Sequence, residues 1–258
     1  MTPVVQQLGE QQVAGFFLVL ARISPLFVLA PLFSSNLVPP RVRGIVAVAL
    51  TIGLLPVVAT RKISTDTIEF AGLVGKELLV GLAFAFALGA LFAALSVAGT
   101  FLDTSIGFSF GSIVDPLTGN QAAVLSQLYG LVAIAIFVAI GGDAWVIQGL
   151  GRTFELVPLT AAPDINSLVE GVTAVFTTIS TSALEVAAPV MLAVVITDVA
   201  FGVVSRVVPQ LNVFAVGFPI KVLVGLLVVG ASLPFVVGWI SDQLELSVGQ
   251  ALQTIKVA

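Results

Sequence analysis

The sequence predicts an all-α integral membrane protein: about six long, kinked helices arranged as hairpins, with a buried apolar loop between the third and the fourth. Three observations carry that prediction. Of 258 residues, 58% are apolar and only 9% are charged, against roughly 25% charged in a soluble domain. The mean hydropathy is +1.16, and a soluble globule cannot hide so much apolar area behind so few charges. The apolar runs are of membrane length. In lipid every backbone amide must be satisfied internally, which leaves helices or a closed barrel, and the alternating segments of a barrel are absent.

The first helix is expected from about Val13 to Phe33. Arg22, Pro25 and Pro31 interrupt it, and Ser34-Ser35-Asn36 with Pro39-Pro40 stops it, because the residue before a proline avoids the helical region. The second, Ile45 to Ala59, is short, with Arg41 and Arg43 before it and Arg61 and Lys62 after it. Asp66 or Thr67, in the polar loop that follows, is placed to cap the third helix. That helix is the cleanest: Leu78 to Leu102 carries no charge over 25 residues, roughly 38 Å at 1.5 Å per residue. Gly81, Gly89 and Gly99 alternate there with alanines, a composition that lets membrane helices approach closely.

The stretch from Asp103 to Asn120 is neither helix nor solvated loop. Gly107, Gly111, Pro116 and Gly119 break it, while Ile106, Phe108, Phe110, Ile113 and Val114 are apolar. A greasy, glycine-rich loop between two membrane-length helices must lie inside protein or line a cavity. It either packs the bundle or serves as a plug.

A fourth helix is expected over Gln121 to Ile147, breaking at Gly141-Gly142-Asp143, and a water-facing connection follows with Arg152, Glu155, Pro158, Pro163 and Asp164. The fifth runs from about Leu168 to Val204, rich in Thr and Ser at first and holding Glu185 and Pro189. After the turn from Ser205 to Asn212, the sixth covers Val213 to about Ile240, broken by Pro219 and Pro234 and carrying Lys221. The tail, Ser241 to Ala258, looks amphipathic. These elements form one membrane-embedded domain, 1–258, with no appended soluble domain. The start has no Lys or Arg before its apolar run, which speaks against a cleaved signal peptide.

Composition removes whole classes of chemistry. With no cysteine and no histidine there are no thiolate or imidazole metal sites, no disulfides and no Ser-His-Asp or Cys-His arrangement. No metal, cofactor or catalytic residue is expected. A net charge of −4 without a basic cluster excludes nucleic-acid binding. Gly141-Gly142-Asp143 falls short of the GxGD string of an intramembrane aspartyl protease, and no GxxxxGK[ST] is present. Charges inside apolar runs cost about 2.5–3.5 kcal/mol each, so each is a functional candidate: Arg22, Lys76, Glu77, Asp103, Asp115, Asp143, Glu185, Asp198, Arg206 and Lys221. Pairing explains several equally well, with Asp198 placed to meet Arg206, and Lys221 to meet Glu185 or Asp198. Basic residues lie on both sides of the short second helix, so the positive-inside rule gives no topology.

Four strings now carry a resemblance. They are Ala21-Arg22-Ile23 with Ala30-Pro31-Leu32-Phe33 and Val38-Pro39-Pro40-Arg41-Val42-Arg43; Lys76-Glu77-Leu78-Leu79-Val80-Gly81; Ala98 to Asp103 through Gly107-Phe108 to Val114-Asp115-Pro116; and Asp198 to Leu226. The last, with Ser205-Arg206, Pro209-Gln210, Asn212-Val213-Phe214 and Gly217-Phe218-Pro219, is the most specific. Together they resemble the FliR family of flagellar export-gate proteins, whose injectisome relatives are called SctT.

The resemblance implies a non-enzymatic subunit of the type III export channel in the inner membrane of the flagellar basal body. It implies assembly with FliP and FliQ, FlhB and FlhA as neighbours, contact with membrane lipid, and unfolded secreted proteins as cargo. It also implies a FliP-like part over about 1–150, including loop 103–120, and a FliQ-like helical hairpin over about 165–258. Ile106, Gly107, Phe108, Phe110, Gly111, Asp115, Pro116 and Gly119 would then belong to a pore plug. Arg22, Lys76, Glu77, Asp198, Arg206, Pro209, Gln210, Asn212, Phe214 and Lys221 would serve assembly and folding. An injectisome gate, and more distantly a secondary transporter of a small solute, are the alternatives.

Overall fold

A chain that must satisfy its own backbone in an apolar setting keeps its helices going wherever it can. In the computed structural model, which describes residues 2–30, 38–58, 63, 66–109, 123–161, 165–210 and 212–254, every regular element is an α-helix. They are α1 (Thr2–Ile23), α2 (Leu26–Leu29), α3 (Pro40–Val58), α4 (Thr67–Ile106), α5 (Val124–Ala139), α6 (Gly142–Leu156), α7 (Ile165–Val207) and α8 (Val213–Thr254). Four stretches are long and apolar enough to cross a membrane, one running from α1 through α2 and one each in α4, α7 and α8, and α5 with α6 makes a fifth if the broken pair is one span.

Several elements are longer than the sequence suggested. α3 begins at Pro40, where a missing N–H costs nothing in the first turn. α4 begins at Thr67, directly after Asp66, where the sequence placed its cap, and Lys76 and Glu77 lie within it. The expected break of the sixth helix at Pro219 and Pro234 is not found. α8 is one helix of 42 residues through both prolines and into the tail. Each proline removes one ladder bond, whereas leaving the helix would strand several backbone groups. The fourth helix breaks where expected. Gly141 has φ +70°, a left-handed conformation open to glycine, and it separates α5 from α6. The expectations for Pro31, for Ser34-Ser35-Asn36, for Arg61 and Lys62, and for Pro163 and Asp164 lie outside the described residues.

The chain divides into two compact units: Met1–Ala90 with Gly141–Phe176 and Leu244–Ala258, and Leu91–Ile140 with Thr177–Gln243. In the first unit α1 packs on α3 and crosses α4 at Gly81, where a Cβ would overlap the Arg22 carbonyl. In the second, α4 meets α5 at Gly99, where a Cβ would overlap the backbone of Ser126. Phe92 and Phe137 close that interface with ring centroids 5.6 Å apart, and Leu95, Leu102, Tyr129, Val186, Val190 and Val236 are among the buried side chains of this unit.

These contacts are backbone against backbone and cannot be relieved by a rotamer change. Gly81→Ala and Gly99→Ala should each destabilise the protein by about 1–3 kcal/mol or more. Gly75→Ala, with nothing within 4 Å of the added atom, should be neutral or stabilise by up to about 1 kcal/mol. Thermal denaturation of the detergent-solubilised variants measures the contrast.

Candidate functional site

Three arrangements bring the sequence-predicted residues together, one in the first unit and two in the second. In the first, Arg22 lies in the last turn of α1, its side chain fully buried. Its Nε donates to Glu77 Oε2 on α4, its Nη1 to the Thr153 carbonyl at 2.9 Å and its Nη2 to the Val157 carbonyl at 2.8 Å. The guanidinium also lies over the Phe154 ring, 4.2 Å from its centroid. Lys76 Nζ is 2.8 Å from Glu77 Oε1 and donates to the carbonyls of Leu159 at 2.6 Å, Ala161 at 2.9 Å and Pro158 at 3.3 Å. The end of a helix leaves its last carbonyls without intrahelical donors and favours positive charge. Arg22 and Lys76 meet that need at the end of α6 while Glu77 binds both of them. The cluster fastens α1, α4 and α6 and sets the Glu77 carboxylate between two cations.

At the base of the apolar loop, Asp103 is buried on α4. Its Oδ1 accepts the Leu125 N–H at 2.9 Å and its Oδ2 the Ser126 N–H at 3.0 Å, so a side chain of one helix caps the first turn of the next. Ser126 Oγ donates to the Ser96 carbonyl at 2.9 Å. Ile106, the last residue of α4, is fully buried. It fills the notch over Gly225 of α8, where a Cβ would come within 2.6 Å of Ile106 Cδ1. Gly107 then leaves the helix with φ +106°, its N–H bonded to the Asp103 carbonyl at 3.1 Å, and Phe108 is half-buried. Ile106 is thus an anchor of the loop against its own chain. Phe110, Gly111, Asp115, Pro116 and Gly119 lie outside the described residues.

The third arrangement is the α7–α8 hairpin. Asp198 Oδ2 and Lys221 Nζ are 2.8 Å apart. Asn212 Oδ1 accepts the Ala215 N–H at 3.1 Å, capping α8, and the Phe214 and Phe218 rings stack at 6.1 Å. Pro209, Gln210 and Arg206 are exposed. The expected Asp198–Arg206 pair does not form: Asp198 and Lys221 lie about equally far from the turn, so the hairpin sets them opposite each other. Glu185, the other candidate for Lys221, instead accepts the Trp239 indole N–H at 3.3 Å.

The sequence singled out Arg22, Lys76 and Glu77 without joining them, and it offered Asp103 as a charge without its capping role. The available signal was sign: a cation in the first apolar run and a carboxylate at the mouth of the third each need an opposite partner to enter an apolar interior. Among the described residues no group of three or more metal-ligating side chains is found.

A family model described as bacterial export proteins, family 1, matches residues 13–247. The chain is 31% identical over 229 residues to the flagellar biosynthetic protein FliR of Bacillus subtilis (strain 168), covering 86% of this chain and 88% of that protein. With the protein of the same description from Escherichia coli (strain K12), identity is 28% over 221 residues, covering 86% and 85%. Against the surface presentation of antigens protein SpaR of Shigella sonnei it is 26% over 211 residues, covering 81% and 80%.

Removing one partner of a buried ion pair leaves an uncompensated charge. Glu77→Gln or Arg22→Ala should destabilise the protein by about 3–5 kcal/mol, whereas Arg22→Met combined with Glu77→Leu should recover most of that loss. The denaturation midpoints of the single and double variants decide it.

Proposed function

The chain belongs to family 1 of the bacterial export proteins, and from that premise we propose that it is a core channel subunit of the flagellar type III export gate. In this reading it assembles with FliP and FliQ in the inner membrane, with FlhB and FlhA as neighbours, and unfolded flagellar proteins pass through the assembly. It is an export component and not an enzyme. Its identity to the two proteins named for flagellar biosynthesis is higher than to SpaR, which favours the flagellar machine over the injectisome.

One observation carries the assembly. α7 has 43 residues and α8 has 42, each roughly 65 Å long at 1.5 Å per residue, while the hydrocarbon core is about 30 Å thick. Their apolar stretches are bare, 28% buried for α7 and 17% for α8 against 67% for α4. Lipid reaches only about half of such a helix, and the remainder, with Leu192, Val199, Val203 and Phe214 exposed, must be covered by other polypeptides. Stacked hairpins of sister subunits meet that requirement, whereas a lone transporter of a small solute does not.

The loop after α4 is the plug in this reading. Its two ends are held by Asp103 and by Ile106 over Gly225, so the apolar, glycine-broken segment from Gly107 onward is presented from a fixed base. Phe108 and Phe110 exclude water and ions at rest, and the glycines let the segment move aside.

Co-expressed with FliP and FliQ, the chain should purify as a single large hetero-oligomer; recovery alone or as a small homo-oligomer would reject the assembly. Deleting Ile106 to Asn120 should raise ion conductance through membranes carrying the assembled gate. An unchanged conductance in an intact complex would remove the plug.

A further inference from the structure

Glu185 is a charge on the α7 surface that neither the ion-pair clusters nor the apolar coverage explains. It lies midway along α7, roughly 30 Å from either end at 1.5 Å per residue. It is exposed, with exposed Thr181, Leu184 and Ala188 around it on its own helix. The Trp239 N–H reaches only one of its oxygens, at 3.3 Å. Among the described residues no cation pairs with it, since Lys221 is held by Asp198. The same helical turn carries a second acceptor. Pro189 stands four residues on within α7, and having no N–H it cannot supply the α-helical donor to the Glu185 carbonyl. A carboxylate thus sits within one turn of a backbone carbonyl that lacks its helical donor, on a long apolar helix.

Both groups are acceptors, so what covers them must bring donors and positive charge. It must also cover the bare Leu184, Leu192 and Val195 along the same helix, which a single lipid headgroup does not do. The geometry points to Glu185 as the docking point for a Lys or Arg side chain presented by a helix of a neighbouring export subunit. Trp239, buried on α8, holds one carboxylate oxygen and leaves the other for the cation. This inference rests on the assembly proposed above and names the chemistry by which one neighbour recognises α7.

The test uses the complex co-expressed with FliP and FliQ. Glu185→Gln keeps an acceptor for Trp239 but loses the charge, and it should lower recovery of the complex about tenfold, in the range that loss of a desolvated charge pair produces; Glu185→Lys should lower it further. In the otherwise unaltered chain, a photoreactive residue at position 184 should cross-link to a helix of FliP or FliQ bearing Lys or Arg. Replacing that cation by Glu should restore assembly of the Glu185→Lys chain. Assembly of Glu185→Gln at the unaltered level overturns the inference while leaving the gate reading intact. So does a cross-link to phospholipid alone, or free reaction of a cysteine at 188, with Glu185 intact, with a charged water-soluble maleimide in the assembled complex, clean to read because the chain has no native cysteine. Failure of the unaltered chain to assemble with FliP and FliQ overturns both.

Discussion

Glu77 holds two cations at once, and the first unit is organised around that fact. Arg22 comes from α1 and Lys76 from α4 itself, and between them they bond five carbonyls at and beyond the end of α6. A buried ion pair adds little net stability over a well-packed apolar replacement, yet it is severely destabilising when half removed. Its effect is to forbid alternatives. An apolar helix of Leu, Ala and Val can slide or rotate against its neighbours at small cost, but a displaced Glu77 would leave three charges and several carbonyls unpaired. The second unit follows the same rule with a different group, since Asp103 fixes the first turn of α5 by accepting two backbone N–H groups.

Where charges set the register, glycines set the distance. Gly81 lets α4 meet the backbone of α1 at Arg22, and Gly99 lets it meet the backbone of α5 at Ser126. Both crossings lie close to the polar anchors, Glu77 and Asp103, that depend on them. A side chain at either glycine would move the donors and acceptors out of reach, so close approach and charge pairing are one requirement met at two places along α4. Gly225 works in the same way for Ile106, the residue that ends α4 before the loop.

Among the described residues, the buried charges Arg22, Glu77 and Asp103 find partners within the chain. Much of its apolar surface does not, and that imbalance is the physical content of a subunit. α7 and α8 are longer than the hydrocarbon core is thick, and their apolar stretches are mostly uncovered within the chain. Their outward charges differ as well: Asp198 and Lys221 neutralise each other beside the hairpin turn, whereas Glu185 is left with an indole N–H. In the proposed assembly other helices cover that surface, as the proposal for an export family whose relatives are named for flagellar biosynthesis requires.

Periodicity, charge scarcity and proline placement were enough to read the membrane class, the all-helical order, the break at Gly141 and the candidate charges, because each follows from local chemistry and from the length of an apolar run. Helix ends were harder. Pro219 and Pro234 do not stop α8, since what a proline costs a helix is decided by neighbours that are distant in sequence. The pairing of Arg22 with Glu77 spans 55 positions, the capping of Leu125 by Asp103 spans 22, and the choice of Lys221 over Arg206 for Asp198 depends on how the hairpin closes. Composition determined that these charges needed partners; only the folded chain decided which, because an ion pair depends on distance in space and a sequence records distance along the backbone alone.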